Sequence, residues 1–138
     1  MKVILALSLA LFAVLSPAAI VGAHAQLAAV NSLQSLDYAF LSGNRTAVRL
    51  VFKHALAEPP EVFAIYHPGI RVVVDFDDMQ SAVARKPLEV RQRDLLSLQV
   101  VRSGRHTRVI IRLLRPLVRE TDITGHDLIM MLHRPQHG

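Results

Sequence analysis

The chain has 138 residues, no cysteine and no tryptophan; 51% of it is hydrophobic, 5% is aromatic, and its formal charge is +5. That length accommodates one domain rather than two, and the lack of cysteine removes disulfide frameworks, thiol catalysis, cysteine-based zinc sites and iron–sulfur clusters. The apolar share is too high for a disordered chain, and the charged residues, 20% of the total, are too many for a polytopic membrane protein.

The first elements are not part of a fold. Met1 and Lys2 give a short positive start, Val3–Leu15 is an apolar run broken only by Ser8, Ser16-Pro17 ends it, and Ala23-His24-Ala25 follows. A charged start, an apolar core and a small-residue A-x-A site are the layout of a cleavable secretory signal peptide over residues 1–25. The run Val3–Leu15 is too short to cross a bilayer core of about 30 Å, and only its extension through Pro17 to Ala25 would allow the alternative, an uncleaved anchor. The domain itself is then expected over residues 26–138, with its apolar share reduced to an ordinary globular level.

From Asn31 onward the pattern alternates with period two. In Arg45–Lys53, Thr46, Val48, Leu50 and Phe52 point one way and Arg45, Ala47, Arg49, Val51 and Lys53 the other, which predicts a half-buried strand. Further strands are predicted near Leu33–Leu41, Glu61–Tyr66, Ile70–Phe76, Leu95–Arg102, Thr107–Leu114, Val118–Thr124 and Asp127–His133. Ser42-Gly43-Asn44, Ser103-Gly104-Arg105-His106 and Thr124-Gly125-His126 supply turns, and Pro59-Pro60 and His67-Pro68-Gly69 also break the pattern. Asp78–Lys86 alone is expected to form a helical turn, and Leu88–Val90 is either a short strand or loop.

The pattern repeats. Ser42-Gly43, Thr46, Val48, Leu50 and Phe52 recur as Ser103-Gly104, Thr107, Val109, Ile111 and Leu113 at an offset of 61. Gly69, Val72, Val74 and Phe76 recur as Gly125, Leu128, Met130 and Leu132 at an offset of 56. Two similar four-strand halves joined by Asp77–Arg93, each with one apolar face, would bury those faces against each other. The expectation is an all-β fold: a two-sheet β sandwich with pseudo-twofold symmetry.

A family resemblance rests on Asn31-Ser32-Leu33, Thr46–Phe52, Pro60-Glu61-Val62-Phe63, the run His67–Phe76 and Arg105–Leu113. Its most specific part is Pro68, Arg71, Val72–Val74, Asp75 and Phe76. This pattern, over about Asn31 to Leu132, resembles the AMIN domain, found at the N-terminal end of periplasmic N-acetylmuramoyl-L-alanine amidases and of type IV pilus secretins. His67 stands where that family often has Asn, and Asp77-Asp78 follow Phe76 in place of a Pro-Gly-type turn. The resemblance implies a two-sheet sandwich, a periplasmic location, no catalytic activity, and peptidoglycan as ligand. A pilus, secretin or amidase protein of the envelope is an implied partner. Since the sequence runs only to Gly138, no amidase or secretin module is expected to follow it.

Arg49, Arg71, Arg108 and Arg112 occupy positions opposite the inward apolar residues. An arginine fork matches carboxylates, which peptidoglycan carries on its stem peptides, and Asp75 would accept from sugar hydroxyls or amines. These five are the candidate ligand-binding residues; solvated faces or cross-strand pairs of Arg49 or Arg71 with Asp75 are the plainer reading of each. Thirteen of the sixteen basic residues are arginine, but an exported chain with no aromatic stacking platform does not suggest nucleic acid. Val51, Val73, Ile110, Leu114, Ile129 and Met131 make the outward positions unusually apolar, so either Asp77–Arg93 covers part of one sheet or a face docks on a partner protein. The second functional reading is therefore a protein–protein adaptor of a pilus or secretion machine. His54, His67, His106, His126, His133 and His137 lack metal-ligand spacing. Asp77-Asp78 reads as a turn rather than an acid–base pair, and there is no G-x-S-x-G. No catalytic residues, metal or cofactor are expected.

Overall fold

A computed structural model of the chain describes residues 30–136; residues 1–25, expected to be a signal peptide, lie outside them. Ten strands and no helix occur among the described residues: β1 (Asn31–Leu41), β2 (Arg45–Phe52), β3 (Glu61–Ile65), β4 (Ile70–Phe76), β5 (Met79–Ser81), β6 (Leu88–Gln92), β7 (Leu95–Ser103), β8 (His106–Leu113), β9 (Val118–Thr124) and β10 (Asp127–His133). They form two five-stranded sheets, ordered β5-β1-β2-β10-β9 and β3-β4-β8-β7-β6. The all-β, two-sheet class expected from the alternation is the one observed.

The alternation acts by burial. Thr46, Val48, Leu50 and Phe52 of β2, Thr107, Val109, Ile111 and Leu113 of β8, and Leu128, Met130 and Leu132 of β10 are all buried, while the residues between them are not. Val72, Val74 and Phe76 of β4, Leu33 of β1, and Leu95, Leu98 and Val100 of β7 join them in the core. Burying each such aliphatic side chain contributes about 1.5–3 kcal/mol. The Phe52 and Phe76 rings meet edge-on across the core, 5.3 Å apart, so few aromatics suffice. The two repeat-related hairpins differ at their turns. Leu41 pairs with Arg45 across three residues, Ser103 with His106 across two. Asn44 takes the additional left-handed position at φ 56° after Gly43 at 75°, a conformation in which Asn is among the few tolerated residues.

The halves do not each make a sheet. The first half puts β1–β2 in one sheet and β3–β4 in the other; the second half puts β9–β10 beside β2 and β7–β8 beside β4. Exchanging the halves maps β1-β2-β10-β9 onto β7-β8-β4-β3, so the pseudo-twofold swaps one sheet for the other. Each sheet is thus zipped at its centre by a pairing between halves, β2 with β10 and β4 with β8.

The connection Asp77–Arg93 differs from expectation in two ways. Its helical turn is absent: Met79–Ser81 is extended and pairs in parallel with Asn31–Leu33 of β1. Met79 is buried, and the Thr107 hydroxyl donates to its carbonyl at 2.5 Å. An apolar side chain available to the core and a bonding edge on β1 outweigh a weak local helical preference. Leu88–Gln92 is a strand, pairing with β7. The connection also covers neither outer face. It adds an edge strand to each sheet, while Val83 and Val90 pack against the core, so it closes the side of the sandwich between β1 and β7.

The turn between β6 and β7 holds the one charged group of the described residues that is buried in the sandwich, Asp94 at 8% exposure. Its carboxylate accepts from Arg115 Nε at 2.9 Å and from Arg134 Nε and Nη2 at 2.9 and 3.2 Å. Arg115 follows β8 and Arg134 follows β10, so one carboxylate ties the ends of both sheets. The bond from Arg134 holds the Asp94 carboxyl below its ordinary 3.8; burial pushes the other way, and Arg115 adds to the lowering. A lowered folded pKa gives stability that is complete above about pH 4 and lost as pH falls through the folded value. Because the arginine ends stand half in solvent, Asp94→Asn is expected to cost only about 1–2 kcal/mol in urea unfolding at neutral pH. The gap between wild type and variant should hold down to about pH 5 and narrow below about pH 4.

Candidate binding face

On β4 the side chains between the inward valines point outward: Arg71, Val73 and Asp75. Their ladder partners on β8 are Arg112, Ile110 and Arg108, and on β3 Ile65, Phe63 and Glu61. Register therefore builds three rows across the outer face of this sheet: Glu61–Asp75–Arg108, then Phe63–Val73–Ile110, then Ile65–Arg71–Arg112. An apolar row lies between two rows that carry arginine.

The first row is internally paired. Arg108 Nε lies 3.4 Å from Asp75 Oδ1, an ion-pair distance without hydrogen-bond geometry, since that buried oxygen has no hydrogen-bond partner. The Arg108 guanidinium sits 5.9 Å from the centre of the Phe63 ring, so the side chain reaches from β8 across β4 to β3. This explains why outward-facing Val73 is only 3% exposed. Asp75 is 14% exposed and Arg108 50%.

The third row is not paired. Arg71 and Arg112 are direct cross-strand partners, and like charges in that position repel. Arg71 Nη2 donates to the carbonyl of His67 at 3.2 Å, folding the side chain toward the β3–β4 turn, while its Nε is buried without an acceptor. Among the described residues neither arginine meets a carboxylate. Beyond Arg112 the row continues to the neutral Ser97 on β7 and then to Glu89 on β6, whose carboxylate pairs with Arg91. Tyr66, 54% exposed, stands at the same end of the face.

Four of the five residues named from the sequence thus share one face: Arg71, Asp75, Arg108 and Arg112. Arg49 does not join them. It lies on the outer face of the other sheet, donating to Asp127 Oδ2 at 3.0 Å from Nη2 and 3.3 Å from Nε, with Asp37 opposite it on β1. The arginine partner of the Asp75 carboxylate is Arg108, not Arg71 or Arg49. Phe63 and Glu61 belong to the face and were not singled out by residue type; the alternation of Glu61–Ile65 marks Phe63 as outward, but only the β3–β4 register places it beside Val73. Next to Asp75 the face ends in a cleft of about 500 Å³ between the β2–β3 loop and the β4–β5 turn, lined by Glu58, Glu61, Asp77 and Asp78. Asp77 and Asp78 form the turn expected of them and pair with His106 at 2.9 Å and Arg105 at 2.7 Å. No group of three His, Asp or Glu side chains among the described residues is arranged to hold a metal ion.

No family model matches the chain, and no curated protein does.

The unpaired arginines carry a stability signature. Arg112→Gln is expected to raise unfolding stability by up to about 0.5 kcal/mol at low salt, by relieving the cross-strand repulsion. Screening should shrink that gain at high ionic strength. Urea titrations at two salt concentrations check both points.

Proposed function

We infer that this protein is a non-catalytic module of the cell envelope that binds peptidoglycan through the outer face of β3, β4 and β8. One observation carries the reading: a row of apolar surface bordered by two arginines that no carboxylate of the described fold neutralises. Peptidoglycan offers the complement, sugar rings with apolar faces and stem peptides with free carboxylates. Guanidinium forks suit the carboxylates, and Phe63 and Ile110 suit the sugar faces. The likeness of Pro68, Arg71, Val72–Val74 and Asp75 to the AMIN pattern supports the same ligand, and the layout of residues 1–25 supports export to the periplasm. The face presents groups that bind and orient; it sets no nucleophile against a base.

The adaptor reading has one observation of its own. The outer face of the other sheet carries a hollow of about 870 Å³ with Ile129 and Met131 on its floor and Arg45, Glu120, Asp122 and His133 around it. Mixed charge around an apolar floor suits a protein surface better than a glycan.

Co-sedimentation with purified cell-wall sacculi tests the main reading. The protein is expected to pellet at low salt and to be released progressively as salt rises. Arg71→Ala with Arg108→Ala should reduce pelleting by roughly tenfold, the scale of one lost charged contact, and Arg49→Ala on the opposite sheet should leave it unchanged. Protein that stays in the supernatant at low salt refutes glycan binding and leaves the adaptor reading.

A further inference from the structure

We propose that Arg71 and Arg112 form a two-pronged carboxylate clamp, and that the protein reads the ionised carboxylates of the stem peptides rather than the sugar backbone alone. The proposal rests on the peptidoglycan reading above and adds which chemical group decides binding.

The physical case begins with a cost. Two arginines directly opposite in an antiparallel ladder hold their Cβ atoms about 5 Å apart. Of the thirteen arginines of the described residues, Arg49, Arg91, Arg105, Arg108, Arg115 and Arg134 have a carboxylate partner and seven do not, but Arg71 and Arg112 are the one pair among those seven that a strand ladder sets face to face. The Arg71–Arg112 pair has none, and the residues flanking it in the row, Ile65 and Ser97, cannot supply one. Arg71 Nε is covered, as is Arg102 Nε, so it is the Nη groups of Arg71, one of which bonds the His67 carbonyl, that stand where a ligand can meet them. A carboxylate placed between the two guanidinium groups would take donors from both and remove the repulsion.

The internal repeat shows that the fold does not require this arrangement. The positions equivalent to Arg71 and Arg112 on the opposite sheet are Asp127 and Val51, themselves ladder partners in the same geometry. Inward positions agree between the repeats in apolar character, Val72 with Leu128 and Ile111 with Leu50. The outward pair differs completely. A sandwich that accepts Asp beside Val there is not held together by Arg beside Arg.

The location fits a ligand with one charged and one apolar part. The Phe63–Val73–Ile110 row adjoins the clamp, and the Asp75–Arg108 pair on its far side is already neutralised. An incoming anion is therefore directed to one end of the face, and its apolar portion lies along the middle row.

The test compares sacculi with sacculi whose carboxylates have been converted to amides, using wild type, Arg71→Gln/Arg112→Gln, and Arg112→Gln alone. The last replaces an exposed side chain and guards against loss of fold, which thermal unfolding checks for all three. Wild type is expected to pellet at least tenfold less with amidated walls. The double variant should pellet at least tenfold less with native walls and no longer distinguish the two. If wild type ignores amidation, or the double variant pellets within twofold of wild type on native walls, the clamp is wrong and wall binding itself stands. If wild type pellets with neither wall, the peptidoglycan reading fails. The clamp is then judged by titrating a stem tetrapeptide with free carboxylates while following the arginine Nε–H resonances. Shifts at Arg71 and Arg112 that the amide-capped peptide does not produce support it; no shift overturns it. Equal shifts with inorganic phosphate at the same concentration overturn the carboxylate assignment.

Discussion

The pairing of β2 with β10 and of β4 with β8 is the constraint on which the rest of the structure depends. Each of these ladders joins a strand from the first half of the chain to one from the second. Neither sheet exists until both halves have contributed, so the core cannot be built half by half. Contacts far apart in sequence dominate such a fold, and loop closure must precede most of its burial. The same exchange decides the outer face: Arg71 comes from one half and Arg112 from the other, and they meet because β4 lies against β8.

The symmetry is broken where the two halves are joined. Two equal halves would leave one side of the sandwich open between β1 and β7, with unpaired edges on both. The connection closes it with β5 on one sheet and β6 on the other, and Met79, Val83 and Val90 extend the core between them. The end of this connection leads into Asp94, whose carboxylate gathers Arg115 and Arg134. Nearby, Arg93 donates to the Leu41 carbonyl and lies 5.0 Å from the Phe40 ring, so the β6–β7 turn also fastens onto β1. The linker between the repeats thus supplies contacts that the repeats alone do not make.

Much of the fold was legible because inward residues follow a strict period. Thr46, Val48, Leu50 and Phe52 announce both the strand and the face it buries, and their copies from Thr107 to Leu113 announce the repeat. What was not legible is pairing. Nothing in Ile70–Phe76 states that its neighbour is β8 rather than β2, and with the neighbour unknown, Asp75 is set against Arg49 or Arg71 and not against Arg108. Arg49 illustrates the consequence. By residue type and strand position it matches Arg71, yet its ladder neighbours are Asp37 and Ile129, and it is neutralised by Asp127. The helical expectation for Asp78–Lys86 failed for the same reason: three extended residues gain their hydrogen bonds from β1, a partner more than forty residues earlier.

The two outer faces then separate what the fold requires from what it permits. A duplicated sandwich constrains its inward positions twice, since each must fit against the other sheet, and there the repeats agree. Outward positions carry no such demand, and there the repeats diverge in charge. Arg49 is matched by Ile110, Asp127 by Arg71, Met131 by Asp75 and Ala47 by Arg108. On one face the divergence ends in neutral pairs, with Arg49 on Asp127; on the other it leaves two cations facing each other across a ladder. A like-charged pair contributes nothing to the folded state and costs a few tenths of a kcal/mol. Stability cannot account for it, whereas an anion bound between the two arginines would turn that local cost into binding free energy.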